Sequence, residues 1–102
     1  MITTDITATE LKQRLANNET PIIIDVREPW EHEEQSIPGS QLIPLGSLPE
    51  RLEELEDYKD QEVIVQCRSG KRSATAQGFL RQQGFTNVRN LIGGMLDYNE
   101  VK

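Results

Sequence analysis

The chain has 102 residues and a formal net charge of -6, with 35% hydrophobic and 27% charged residues. This length suits one domain with one hydrophobic core, which we place over residues 1–102. The negative charge disfavours nucleic acid and anionic membranes as partners, because both repel an acidic surface. No stretch is apolar enough for a membrane span and the amino terminus lacks a signal-peptide pattern, so we expect a cytoplasmic protein.

The chain has a single cysteine, Cys67, and a single histidine, His32. A lone cysteine cannot form an internal disulfide, and one residue of each type is too few for a zinc site. We therefore expect neither a metal nor a cofactor.

The first predicted elements are a short helix and a buried strand. Residues 7–10 form a capping box, and the helix that follows is predicted to end at Asn17. Residues 21–26 are mostly β-branched and apolar, which is typical of a strand buried on both faces of a parallel sheet. Asp25 is then expected at the carboxyl end of this strand.

A helical turn is predicted next, beginning near Glu28, followed by a short strand at residues 42–43. His32 lies in this acidic region and is interpreted as ordinary exposed surface. Trp30 is predicted to pack against an edge of the sheet. A further amphipathic helix is predicted to begin at Ser47.

The second half of the chain predicts alternating strands and helices. Residues 62–66 form a strand that runs into Cys67, and residues 73–83 form the next helix. Residues 88–91 supply a last strand before a closing helix. This alternation predicts an α/β domain whose central sheet has about five mostly parallel strands, with helices on both faces.

The loop after the strand at residues 62–66 carries the main chemical signal. In an open α/β sheet, ligands bind beyond the carboxyl ends of the strands, where Cys67 is placed. Backbone N–H groups of a tight loop and the start of the next helix can stabilise a thiolate or an anion there. Nearby basic side chains are expected to lower the thiol pKa and to attract an anionic sulfur donor. The candidate nucleophile is Cys67, and the candidate binding residues are Arg68, Ser69, Gly70, Lys71, Arg72 and Ser73.

Four ordered segments of the chain resemble the rhodanese homology domain. They are residues 25–28, residues 37–39, residues 67–73 and the pair Gly93-Gly94. The resemblance spans nearly the whole chain and implies a rhodanese-like thiosulfate sulfurtransferase. It implies that Cys67 carries sulfur as a persulfide, with thiosulfate as donor and cyanide, a thiol or a sulfur-carrier protein as acceptor. It also implies a mainly structural role for Asp25 and Arg27.

Other functions stay open at this point. Phosphatases and arsenate reductases on the same fold use a Cys-x5-Arg loop, whereas Arg72 follows Cys67 after only four residues and Ser73 stands where that Arg would be. This shorter loop favours sulfur. A non-catalytic binding module is a further alternative, and so is an inert buried cysteine. The complete basic loop around Cys67 favours an enzyme over both.

Overall fold

A parallel sheet lies at the centre of the computed structural model, which describes residues 4–101. Its four strands follow the order β2-β1-β3-β4. An isolated parallel bridge between Ile6 and Leu91 extends the sheet beyond β4. The prediction of a mostly parallel α/β sheet is thereby confirmed. The strands are β1 (Ile22–Asp25), β2 (Gln41–Leu42), β3 (Glu62–Gln66) and β4 (Asn87–Asn90).

Helices connect these strands, and most begin where the sequence predicts them. The Thr7 side chain caps the first helix by accepting a hydrogen bond from the Glu10 N–H. The prediction of an amphipathic helix from Ser47 is wrong in type, because this region forms two 3-10 helices, Leu45–Ser47 and Leu52–Tyr58. The α-helices are α1 (Ala8–Ala16), α2 (Pro29–Glu34), α3 (Lys71–Gln82) and α4 (Gly94–Glu100).

Alternating strand residues divide the apolar core between the two faces of the sheet. Ile24 and Val65 face the side covered by α3 and the 3-10 helices, whereas Ile23 and Ile64 face the side covered by α1 and α4. Successive side chains of a strand point to opposite faces, so a strand covered on both faces needs a continuous apolar run. Helices on both faces are therefore confirmed.

The parallel register brings the ends of β1 and β3 to one edge of the sheet. Asp25 pairs with Gln66 in this register, so Asp25 lies beside the residue that precedes Cys67.

Within residues 4–101, no helix is both long and apolar enough to cross a membrane.

Candidate active site

Cys67 lies directly after β3, and its sulfur accepts hydrogen bonds from the loop that follows. The N–H of Gly70 lies 3.1 Å from Sγ, and the N–H and hydroxyl of Ser73 lie at 3.4 and 3.3 Å. We call these three donors the sulfur cradle. Cys67 is only 1% exposed, so a reagent must enter the cradle to reach its sulfur.

The helix after the loop begins earlier than predicted, at Lys71 rather than Ser73. Gly70 is its N-cap and has φ 102°, a left-handed conformation that favours glycine. This turn places the Ser73 N–H, in the first turn of the 12-residue helix α3, 3.4 Å from Sγ. This otherwise unpaired donor and the positive end of the helix dipole both favour an anion at the sulfur.

Asn90, at the end of β4, supports the cradle and was missed by the sequence analysis. Its Nδ2 donates to the Gly70 carbonyl at 3.1 Å, and its Oδ1 lies 2.5 Å from the Ser73 hydroxyl. That hydroxyl has one proton and two acceptors, Asn90 Oδ1 and Cys67 Sγ, so it donates to one of them at a time. Asn90 is the closer acceptor, whereas an ionised sulfur attracts the proton more strongly.

The start of α4 holds the back of the cysteine loop. The N–H groups of Met95 and Leu96 donate to the carbonyls of Cys67 and Arg68 at 2.9 and 3.1 Å. A Cβ on Gly94 would lie 2.5 Å from both carbonyl oxygens. The glycine therefore permits a close approach that fixes these carbonyls away from the cradle.

Two opposing effects set the pKa of Cys67. Burial raises it, because a thiolate loses hydration. Hydrogen bonds from the Ser73 hydroxyl, and then from the backbone N–H groups of Ser73, Gly70 and Ser69, lower it by more. The pKa of Cys67 consequently lies below that of an ordinary thiol, and the main causes of the lowering are uncharged donors rather than the predicted basic side chains.

The predicted binding residues fall into different positions around Cys67. Arg68, Ser69 and Lys71 are exposed, and Ser69 acts on the sulfur through its backbone N–H rather than its hydroxyl. Arg72 does not point into the cradle, because its two terminal nitrogens donate to the two carboxylate oxygens of Glu31 at 2.6 and 2.9 Å. The substrate-binding role of Arg72 therefore stays a prediction, and in this structure its guanidinium is occupied by Glu31.

A second group of ionisable side chains lies beside the loop. Asp25 is fully buried and accepts hydrogen bonds from Nε and a terminal nitrogen of Arg27, at 3.0 and 2.8 Å. His32 Nδ1 lies 2.9 Å from the same carboxylate, and 26% of the His32 side chain is exposed. We call Asp25, Arg27 and His32 the ionic cluster. The interpretation of His32 as ordinary surface is therefore wrong.

A cleft of about 380 Å³ opens between α2 and α4, with Arg68 on its rim. Trp30 lines it and is 64% exposed, so the prediction that this side chain packs against the sheet is wrong. Leu96 also lines the cleft and is 44% exposed.

Among the residues that the structure describes, no group of three or more His, Cys, Asp and Glu side chains could hold a metal.

Comparison with known proteins agrees with this geometry. The rhodanese-like domain family matches residues 7–100. A sulfurtransferase of Allochromatium vinosum is 39% identical over 92 residues, which cover 90% of this chain and 84% of that protein. YtwF of Bacillus subtilis, provisionally assigned as a sulfurtransferase, is 40% identical and covers 90% of this chain and 86% of its own. The crystal structure of a rhodanese-related protein from Thermoplasma volcanium superposes with a TM-score of 0.82 at 35% identity, covering 95% and 91% of the two chains.

The chain therefore belongs to the rhodanese-like domain family, as its ordered motifs indicated. Relatives named sulfurtransferases support sulfur transfer as its general chemistry.

Proposed function

We propose that the protein moves sulfane sulfur from thiosulfate, or a similar anionic donor, through a persulfide on Cys67 to cyanide or a thiol. The observation that carries this proposal is the sulfur cradle at the N-terminus of α3. A thiol whose pKa is lowered by preorganised donors is already the nucleophile, so it needs no separate base.

The transfer takes place in two steps. The Cys67 thiolate attacks the outer sulfur of thiosulfate, forming a new S–S bond while the old S–S bond breaks and its electron pair leaves with sulfite. Cyanide or a thiolate then attacks the outer sulfur of the persulfide and takes it as thiocyanate or a new persulfide. The Cys67 thiolate returns as leaving group, and no external oxidant or reductant is used.

The surroundings of Cys67 support distinct tasks for the loop residues. Ser69, Gly70 and Ser73 supply donors to the sulfur, while the exposed Arg68 and Lys71 attract the charged end of the donor. Entry is narrow because Cys67 is buried, which favours the slender outer sulfur of thiosulfate or the terminal thiol of a flexible acceptor. The cleft of about 380 Å³ beside Arg68 has room for a small thiol acceptor, whereas a sulfur-carrier protein would have to dock on the outer surface and insert only its terminal thiol.

Initial-rate kinetics with thiosulfate and cyanide test this function. A covalent intermediate predicts ping-pong behaviour, with parallel lines in double-reciprocal plots. Cys67→Ser should abolish turnover while retaining the fold, because a hydroxyl is a poor nucleophile at neutral pH. Intersecting lines together with turnover by folded Cys67→Ser would refute the proposal, and absence of any turnover in the wild type would favour a binding module.

A further inference from the structure

The Glu31–Arg72 ion pair lies between α2 and the start of α3, beside the sulfur cradle. Resting on the proposed role of Cys67 as nucleophile, we propose that Glu31 is a positioning residue that sets anion selectivity by keeping Arg72 out of the cradle. In this arrangement Glu31 favours sulfur species over tetrahedral oxyanions.

The pair is built as a fixed contact rather than a loose surface bridge. Both Glu31 oxygens accept from Arg72, and Oε1 also accepts from the Glu28 N–H at 2.9 Å as part of the α2 capping box. Only 9% of the Glu31 side chain is exposed, against 36% for Arg72. The carboxylate is thus anchored to its own helix and holds the guanidinium from the other side.

Arg72 is close enough to the sulfur for its charge to matter. It precedes Ser73, which contributes two of the three cradle donors. Its pKa is raised mainly by the hydrogen bond to Glu31, and also by the neighbouring charges of Cys67 and Asp25. Arg72 in turn holds the pKa of Glu31 at about 2, so the carboxylate stays ionised and the pair stays neutral overall at physiological pH.

This pairing leaves uncharged donors as the main groups on the sulfur. Backbone N–H groups and a hydroxyl suit a thiolate or a persulfide, which carries one negative charge. A free guanidinium would instead form bidentate contacts with phosphate or sulfate, whose planar pairs of oxygens match its fork. Ordinary cellular oxyanions would then compete for the site, and Glu31 prevents this competition.

The inference can be tested without any sulfur transfer. The measurement is how strongly inorganic phosphate protects Cys67 from iodoacetamide, a small neutral alkylating agent. The variants are E31Q, the double variant E31Q/R72Q, and the control E33Q, which removes an equal charge from an exposed position of the same helix. E31Q should bind phosphate about tenfold more tightly than the wild type, as expected for a gained charged hydrogen bond. E33Q and E31Q/R72Q should stay close to the wild type.

Thermal unfolding of E31Q shows whether this variant folds. If it does not, the single variant R72Q still decides the test. Because Arg72 is already occupied by Glu31, R72Q should leave phosphate protection unchanged. A marked loss of protection in R72Q, or equal phosphate affinity in folded E31Q and E33Q, would overturn the role of Glu31. If the expected phosphate-protection results are found but the wild type transfers no sulfur, only the proposed function is refuted, and the role of Glu31 stands.

Discussion

The sulfur cradle and the ionic cluster lie at the same edge of the sheet, but they stabilise negative charge in different ways. The cradle surrounds Sγ with backbone N–H groups and a hydroxyl, which carry no net charge. The ionic cluster instead neutralises the buried Asp25 with Arg27. Uncharged donors can stabilise Cys67 both as a thiolate and as a persulfide, so the sulfur can gain and lose a second sulfur atom. A buried ion pair instead holds its two side chains in one arrangement. We therefore expect the first region to serve chemistry and the second to serve architecture.

Among the changes that leave Cys67 in place, the largest effect is expected from Gly94→Ala, which disturbs the support of the cradle. The added Cβ would meet the Cys67 and Arg68 carbonyl oxygens at 2.5 Å, so α4 or the loop must shift. A displacement of about 1 Å can cost roughly a hundredfold in rate, and sulfur transfer should fall by that order. Gly84→Ala is the matched control, because Gly84 also has a positive φ, 95°, but its added Cβ would meet no atom within 4 Å. Equal activity in both variants would show that the close contact with α4 is dispensable.

A substitution in the ionic cluster should lower the stability of the fold more than it changes the reactivity of Cys67. Asp25→Asn leaves the buried Arg27 without its charged partner, which should lower the free energy of unfolding by about 3 kcal/mol. Urea denaturation measures this loss, with Glu54→Gln at an exposed ion pair as a nearly silent control. The alkylation rate of Cys67 in the folded variant should change little. A large change in that rate without a loss of stability would reverse the roles assigned to the two regions.

The exposed basic residues should affect donor binding more than thiol reactivity. Replacing both Arg68 and Lys71 by Ala should raise the KM for thiosulfate several-fold at low salt, and the effect should shrink as salt screens the charges. Alkylation by neutral iodoacetamide serves as the internal control and should be little changed. Unchanged thiosulfate kinetics at low salt would show that these charges serve only solubility.

The smallest effect is expected from Ser73→Ala. Loss of the hydroxyl removes the strongest hydrogen-bond contribution that lowers the pKa of Cys67, so this pKa should rise. Less thiolate is then present at neutral pH and alkylation slows, while above both pKa values the two rates converge. The exposed hydroxyl of Thr75 on the same helix offers a matched control in Thr75→Ala. An identical pH profile for Ser73→Ala and the wild type would mean that the hydroxyl stays bonded to Asn90.

Much of the fold could be predicted because its signals are local in sequence. The strand β3 has the predicted bounds, Glu62–Gln66, since its β-branched run suits a strand buried on both faces. The Thr7 cap is likewise local. The region after Ser47 has the right apolar spacing, with Leu48 and Leu55 buried, but spacing alone did not separate an α-helix from 3-10 turns.

The candidate site could be predicted only in part. The cysteine loop is a continuous segment, so its residues were found together. Arg72 and Glu31 are 41 residues apart, and no sequence pattern indicates that they pair. Asn90 was missed for the same reason, because its contacts with the cysteine loop depend on how β3 and β4 align. The charge of a side chain could be read from the sequence, but its partner could not.

Persulfide formation on Cys67 is tested most directly by the mass of the intact protein after a brief treatment with thiosulfate, followed by peptide mapping. We expect one added sulfur atom per chain, located on Cys67, with one sulfite released for each sulfur gained. Subsequent cyanide should restore the original mass and yield an equal amount of thiocyanate. An unchanged mass without sulfite release, or sulfur found at any site other than Cys67, would show that Cys67 does not carry the transferred sulfur.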